Sequence, residues 1–302
     1  MSVTGDEINL IVERILLATD FSMASEVAAN YARAIAKRFS STVTLANVID
    51  LSMASRSEVA VAGQLIAEMR RDSRENLERL ANDFSSSGVR VKTQTLESRD
   101  TASSIVTLAE EQAFDLIILG THARRGLIKL ILDSCAEGVI RHVSCPVITI
   151  GPNVKELVDN EFSFNSIVFA TDLAPDAARK AALAVALAED SIGKIHLCHF
   201  IQHPGKTGSD LSRRQLEFEA ALEKLVPASS YEWCSSNCIV EHGEAASRIL
   251  ETAKRVKAKL IVLGVKHSPR LLTRFENGIL SNVLALAECP VMTIGSVEIR
   301  PE

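Results

Sequence analysis

No apolar run in this chain approaches the 18 or more residues that a membrane-spanning helix needs. Positive charge is not in excess either: 33 Lys and Arg against 38 Asp and Glu leave a net charge of -5 and a pI near 5.9. Bulk electrostatics therefore gives no affinity for nucleic acid. The amino end, MSVTGDEINL, is acidic and lacks the basic, apolar and cleavage regions of a signal peptide. Six cysteines scattered over 302 residues, some inside strand-like runs, fit buried thiols in a reducing compartment and not a disulfide framework. The expectation is a soluble, cytoplasmic protein with no membrane or nucleic-acid partner. Catalytic signatures are missing as well: no nucleophile stands beside a base in a recognisable motif, and no carboxylates pair within one loop. Breakers are few, 14 Gly and 8 Pro, and 47% of residues are hydrophobic, enough to bury two cores of ordinary size.

What is present, and present twice, is one stretch. Asp115–Gly151 reads DLIILGTHARRGLIKLILDSCAEGVIRHVSCPVITIG and Lys259–Gly295 reads KLIVLGVKHSPRLLTRFENGILSNVLALAECPVMTIG, in register at an offset of 144 with 12 identities in 37 positions. The identities are nearly all apolar, turn or strand-forming types, among them Gly120, Val139, Cys145 and Pro146 with their partners. Each copy opens with a short apolar run ending in Gly, a pattern that suits a strand buried on both faces. Gly120 and Gly264 stop that strand where a residue with free φ lets the chain turn over the sheet edge. A loop of about a dozen residues follows, then a helix beginning near Asp133 or Asn277, both good N-caps. Cys-Pro-Val then leads into a β-branched strand. The loop after the first strand lies at the carboxyl edge of the sheet, the usual ligand side of open α/β folds, where a helix N-terminus favours phosphate.

Earlier in the chain, Arg14–Thr19 predicts a buried strand followed by Asp20, and Ser22 caps a helix whose Val27, Tyr31, Ile35 and Phe39 form one apolar stripe. A strand at Thr42–Ile49, a long charged helix at 60–84, a strand at Val89–Leu96 and a helix at Thr101–Gln112 precede the repeated stretch. The second half follows the same plan: strand Ser166–Thr171 ending in Asp172, helix Ala174–Asp190, strand Lys194–Ile201, helix Asp210–Val226, a strand within Tyr231–Val240 and helix Glu244–Val256. The offset from Asp20 to Asp172 is 152, so the first half carries eight extra residues (152 less 144), most simply in its long second helix or adjacent loops. Residues 152–165 read as a short, partly apolar linker that keeps halves 1–151 and 166–302 packed together. Alternating strands and helices imply parallel pairing with right-handed crossovers, an α/β fold of two five-stranded doubly wound sheets.

With ILLATDFS near the start, IILGTH at the fourth strand and IRHVSCPVITI at the end, the first half resembles the universal stress protein family. IVFATD, EHGEAASRIL, LIVLGVKH and ECPVMTIG make the second half look like a second copy. The resemblance implies a tandem member with two Rossmann-like domains of the adenine nucleotide alpha hydrolase type, each a parallel sheet of order 3-2-1-4-5. It also implies that the last strands pair, Val147–Ile150 against Val291–Ile294, as a pseudo-dimer within one chain, with a further homodimer and an unidentified protein partner as expectations. Members that bind ATP carry Gly-x-x-Gly, nine residues, then Gly-Ser or Gly-Thr. Those positions hold Gly120, Ala123, Asp133 and Ser134 in the first half, and Gly264, His267, Asn277 and Gly278 in the second. The family's acidic residue after strand one maps to Asp20 and Asp172, and its adenine-contacting backbone after strand two to positions near Val48 and Phe200. The candidate set for an adenine nucleotide is Thr19, Asp20, Val48, Gly120, Thr121, His122, Arg125, Ser134, Asp172 and Gly264.

Each half keeps a single glycine of the motif in place. Ala123 costs roughly 1 to 2 kcal/mol if its position is left-handed. Asp133 weighs more: a carboxylate about 4 Å from a phosphate charge, at an effective dielectric near 20, is opposed by roughly 4 kcal/mol, and each ~1.4 kcal/mol is tenfold in affinity. Read instead as an N-cap, Asp133 occupies the N–H groups a phosphate would use. Arg124 and Arg125 either offset that charge by pairing with phosphate or form a solvated loop; Lys266 and His267 stand in the corresponding second-half loop. Ser134 reads as a phosphate donor or as a first-turn helix residue, and Asp20 and Asp172 as ligand contacts or as strand-end turn formers. Three functions follow. The first is a non-enzymatic binding or signalling module of bacterial stress adaptation, its nucleotide sites degraded and no cofactor bound. The second is an ATP-binding, weakly hydrolysing member working through the first half. The third is a zinc-responsive protein using His203, Cys234, Cys238 and His242, although the irregular spacing leaves buried thiols and surface histidines as the simpler account.

Overall fold

The computed structural model describes residues 3–4, 7–8, 12–52, 59–121, 134–157, 162–202, 208–265 and 274–295. Two two-residue strands at the amino end, β1 (Val3–Thr4) and β2 (Glu7–Ile8), pair antiparallel; they are too short to leave a periodic signal in the sequence. The runs RILLA and SIVFA have no polar alternation and so belong where both faces of a sheet are covered. They form β3 (Arg14–Ala18) and β8 (Ser166–Ala170), the middle strand of each half. In the first half, β3 is followed by α1 (Met23–Phe39), β4 (Thr42–Asp50), α2 (Val59–Ser86), β5 (Arg90–Ser98), α3 (Thr101–Glu111), β6 (Leu116–Gly120), α4 (Ser134–His142) and β7 (Val147–Ile150). In the second, β8 is followed by α5 (Ala177–Asp190), β9 (Lys194–Ile201), α6 (Gly208–Glu223), β10 (Ser235–His242), α7 (Ala245–Arg255), β11 (Leu260–Val265), α8 (Arg274–Leu286) and β12 (Val291–Gly295).

All ten long strands join one sheet in the order β10-β9-β8-β11-β12-β7-β6-β3-β4-β5, so each half is parallel with order 3-2-1-4-5. The halves meet where β7 and β12 pair antiparallel, with Ile148 opposite Met292. These two residues are equivalent under the 144-residue repeat, so a pseudo-twofold axis passes between them. Arg38 of α1 pairs with Asp190 of α5, and these are equivalent under the 152-residue offset of the earlier segments. On the axis of a homodimer a residue meets its own copy; here one copy is a cation and the other an anion.

Successive residues of β3 point to opposite faces, and an apolar layer covers each face across the seam. One layer contains Ile15, Leu17, Tyr31 and Ile35 together with Ile167, Phe169 and Leu197. The other contains Leu16, Ile105 and Val139 with Val168, Ile249 and Val283. The connecting segment contributes to the first: Val154 and Phe164 are buried, and Phe162 sits edge-on to Tyr31 and Phe164 at ring-centroid distances of 5.2 and 4.8 Å. The surplus length of the first half is in α2, 28 residues against 16 for α6, partly offset by a 3-10 turn at Ala228–Glu232. All six cysteines are free thiols, and burial pushes Cys145, Cys198 and Cys289 up to about 12. No helix among the described residues is long and apolar enough to cross a membrane.

Several element ends differ from the sequence pattern. Helix α5 begins at Ala177 and not at Ala174, because Pro175 disfavours helical backbone in the residue before it. Pro227 has the same effect on Val226, and α6 runs Gly208–Glu223 instead of Asp210–Val226. The strand expected within Tyr231–Val240 is β10, displaced to Ser235–His242 by the 3-10 turn before it. Helix α8 starts at Arg274, ahead of Asn277, since Arg and Glu upstream of the asparagine are themselves good helix formers.

Candidate functional site

Both halves turn out of their first strand in the same way. Thr19 Oγ1 accepts from the Phe21 amide and Thr171 Oγ1 from the Leu173 amide, each at 3.0 Å. Phe21 (φ 60) and Leu173 (φ 58) are both left-handed, a conformation that costs a side chain about 1–2 kcal/mol. A residue of the second strand holds the turn from the side: Asn47 Nδ2 donates to the Thr19 carbonyl at 2.8 Å, and His199 Nδ1 lies 3.0 Å from the Thr171 carbonyl. A carbonyl only accepts, so His199 carries its proton on Nδ1.

The next residues diverge. Asp20 Oδ1 accepts from the Ser22 amide at 3.0 Å, the Ser22 hydroxyl at 2.5 Å and the Ser25 hydroxyl at 2.6 Å, while Ser22 caps α1 by accepting from the Ser25 amide. Asp172 accepts from the Ala174 amide at 3.0 Å, but Ala174 and Ala177 stand where Ser22 and Ser25 do. The hydroxyl network has no counterpart, and α5 begins two residues later than α1 in the aligned frame. The consequence is visible at the strand-four glycines. A Cβ on Gly120 would lie 2.6 Å from the Ala24 backbone carbonyl, so the first turn of α1 rests directly on β6. A Cβ on Gly264 would meet only side chain, the Cδ of Lys180 at 2.9 Å.

Over the second half the space so opened is a cavity of about 490 Å³. Its walls are mostly apolar, with Ala170, Phe200, Ile249, Leu263, Ile279 and Leu280 among them. Polar groups enter at Thr171, Asp172, Asp176, Lys180 and His199, and the first half contributes Glu137, Ile140 and Arg141 of α4 from across the seam. The Lys180 ammonium is 2.8 Å from Asp176 Oδ2 and 3.3 Å from the Val265 carbonyl. Arg141 pairs with Glu137 one turn before it, and burial pulls its guanidinium below the usual arginine range. The His199 ring packs on Phe218, with centroids 4.3 Å apart.

The sequence model of the universal stress protein family matches residues 12–151 and again 163–295. The chain belongs to the universal stress protein family. A universal stress protein of Methanocaldococcus jannaschii is 33% identical over 147 residues, covering 48% of this chain and 86% of the relative. A universal stress protein of Archaeoglobus fulgidus superposes with a TM-score of 0.72 at 19% identity, covering 96% of this chain and 99% of that one. A functionally unknown protein of Pseudomonas aeruginosa superposes with a TM-score of 0.60 at 18% identity, covering 94% and 92%. These structural likenesses establish the tandem fold.

In this universal stress protein the sequence-derived candidates separate into three groups. Asp172 and Gly264 line the cavity, with Phe200. Thr19, Asp20, Val48, Gly120 and Thr121 lie on the first-half turn and strands: Asp20 and Thr19 are engaged in the turn and cap described above, Val48 packs against the core, and the buried Thr121 hydroxyl has no hydrogen-bond partner among the described residues. Ser134 is the first residue of α4, whereas His122 and Arg125, with Ala123, Arg124, Asp133, Lys266 and His267, lie outside the described residues. Sequence reasoning missed Lys180, Glu137, Arg141 and His199. One signal was available: Lys180 interrupts the apolar side of an alanine-rich helix at the position of Ala28, which is fully buried.

The zinc reading does not hold among the described residues, where no group of three or more His, Cys, Asp or Glu is placed to bind a metal ion. Cys238 and His242 lie four apart on β10, a rise of roughly 13 Å along a strand, too far for one ion with ligands at about 2.0–2.3 Å. Burial pushes the Cys234 thiol up to about 11, away from the thiolate that zinc requires. His203 lies outside the described residues.

Proposed function

We propose that this universal stress protein is a non-enzymatic ligand-binding module of the stress response, and that its second half, residues 166–302, is the half that holds the ligand. The halves 1–151 and 166–302, joined by 152–165, have divided their roles: the first is a structural partner and the second a receptor. The observation that carries the reading is the cavity of about 490 Å³ at the carboxyl edge of β8, β9 and β11, within the usual range of about 300–1,000 Å³ for small-molecule sites. It is lined by Asp172, Phe200 and Gly264, the positions onto which the family's nucleotide contacts map, so the ligand class is an adenine nucleotide. In the first half the corresponding space beside Gly120 is taken by the first turn of α1, and the Asp20 carboxylate is engaged by two serines. That favours the second half over an ATP site built on Thr19, Asp20 and Gly120. A binding role is favoured over hydrolysis because the cavity walls are mostly apolar and the sequence sets no nucleophile beside a base in a recognisable motif.

Denaturing the purified protein and identifying the released small molecules by mass spectrometry tests the reading. The expected result is a stoichiometric adenine nucleotide, or a melting temperature that rises with added nucleotide and ceases to rise when Gly264→Val fills the cavity. Nucleotide binding that survives Gly264→Val but is lost in Asp20→Ala would move the site to the first half and overturn the proposal.

A further inference from the structure

Two helices from different halves present the same device to the second-half cavity: a cation held by the acid four residues before it. On α5 the pair is Asp176 and Lys180, and on α4 it is Glu137 and Arg141. The Lys180 side chain is 7% exposed and that of Asp176 33%. An ammonium this deep needs a counter-ion in every state of the protein. The acid that supplies it is placed for another task. Asp176 is the N-cap residue of α5, where a carboxylate ordinarily accepts from the amides of the first turn, and it makes no capping hydrogen bond. Its carboxylate therefore has a second position within reach. A phosphate entering the cavity can take the place of Asp176 on Lys180, and Asp176 can turn onto the amino end of its own helix, where an anion is favoured. The ammonium stays paired throughout the exchange.

We propose that Lys180 is the anion anchor of this cavity, that Asp176 is the internal carboxylate which the ligand's phosphate displaces, and that Arg141 is a second cation supplied by the first half. The assignment rests on the nucleotide reading above and deepens it: phosphate is held by side chains of two helices, one from each half, in place of the family's glycine loop.

Calorimetric titration of the full chain with AMP and with adenosine, which differ by the phosphate alone, measures the anchor. Wild-type protein is expected to bind AMP at least about tenfold more tightly than adenosine, the scale of a charge-assisted hydrogen bond. Lys180→Met brings that ratio close to unity, Arg141→Met reduces it, and Asp176→Asn widens it several-fold because the competing anion is gone. Lys180→Arg retains the charge and most of the ratio, and so reports that the site still folds. A wild-type ratio near unity, a ratio that Lys180→Met leaves intact, or weaker AMP binding in Asp176→Asn overturns the proposal. If neither compound binds, the nucleotide reading fails, and inorganic pyrophosphate decides the anchor by itself. A rise in melting temperature that Lys180→Met abolishes supports it; no rise, or one that survives Lys180→Met, overturns it.

Discussion

Thr19–Phe21 and Thr171–Leu173 fold into the same turn, with the same hydroxyl-to-amide bond and the same left-handed residue, yet the helices that follow sit differently on the sheet. In the first half, Ser22 and Ser25 bind the Asp20 carboxylate and start α1 at Met23, close over Gly120. In the second half, two alanines and a proline delay α5 to Ala177, and a lysine side chain lies over Gly264 instead of helix backbone. A few side chains at one helix start thus separate a half with helix backbone packed on Gly120 from one with a lysine side chain over Gly264 and a cavity of about 490 Å³ beside it. The comparison shows how one repeated frame carries two different helix starts, because the residues that set them are few and local.

The largest effect should come from testing the glycines against each other. Gly120→Ala places a methyl 2.6 Å from helix backbone, and overpacking of this kind should lower unfolding stability by roughly 3 kcal/mol. Gly264→Ala meets a side chain that can move and should lose about 1 kcal/mol or less; urea midpoints of the two variants measure the difference. Next comes the cap. Ser22→Ala should lose about 1 kcal/mol, whereas Ala174→Ser should change little, because α5 has not begun at that residue. Equal effects would show that the two helix starts are the same after all. A smaller change is expected on the pseudo-twofold axis. Arg38→Asp sets two acids against each other and should cost about 0.5–1 kcal/mol, and adding Asp190→Arg should restore it in a double-mutant cycle.

The smallest effect is a pH dependence confined to one half. His196 stands on β9 where the first half has Thr44 on β4, and both are buried. Burial first, then Lys194 and Arg255, hold His196 below its ordinary value of 6.5. Between that lowered value and 6.5 the unfolded chain binds a proton that the folded chain does not, so the stability contributed by the neutral ring is lost as pH falls below about 6.5. His196→Thr should flatten the urea midpoint across that interval, and an unchanged slope would assign the dependence to another group.

Much of the fold was legible because its signals are local. The runs RILLA and SIVFA read as buried strands and Ser22 as a helix start, while the pairing of the last strands came from the resemblance to the family. The helix start at Ala177 was missed although Pro175 was in view, because the alanine-rich composition carries helix propensity back to Ala174. The cavity was half legible: Asp172, Phe200 and Gly264 came from the pattern of the family, but Lys180 was not singled out within its alanine-rich helix. Its partner Val265 is 85 residues away, and no spacing rule connects them. Glu137 and Arg141 were further from sight, since they reach a site built on the other half.

By itself the sequence determined the two-fold repetition, the order of strands and helices, and the turn after each first strand, since these follow from apolar runs, caps and glycines acting over a few residues. The cavity beside Gly264 was decided only in three dimensions. It depends on whether the backbone of one helix or the side chain of a lysine comes to rest on a strand nearly a hundred residues further along, and on a helix from the opposite half closing the wall. Packing across such separations is set by the fitted volumes of many side chains at once, and no short window of residues carries it.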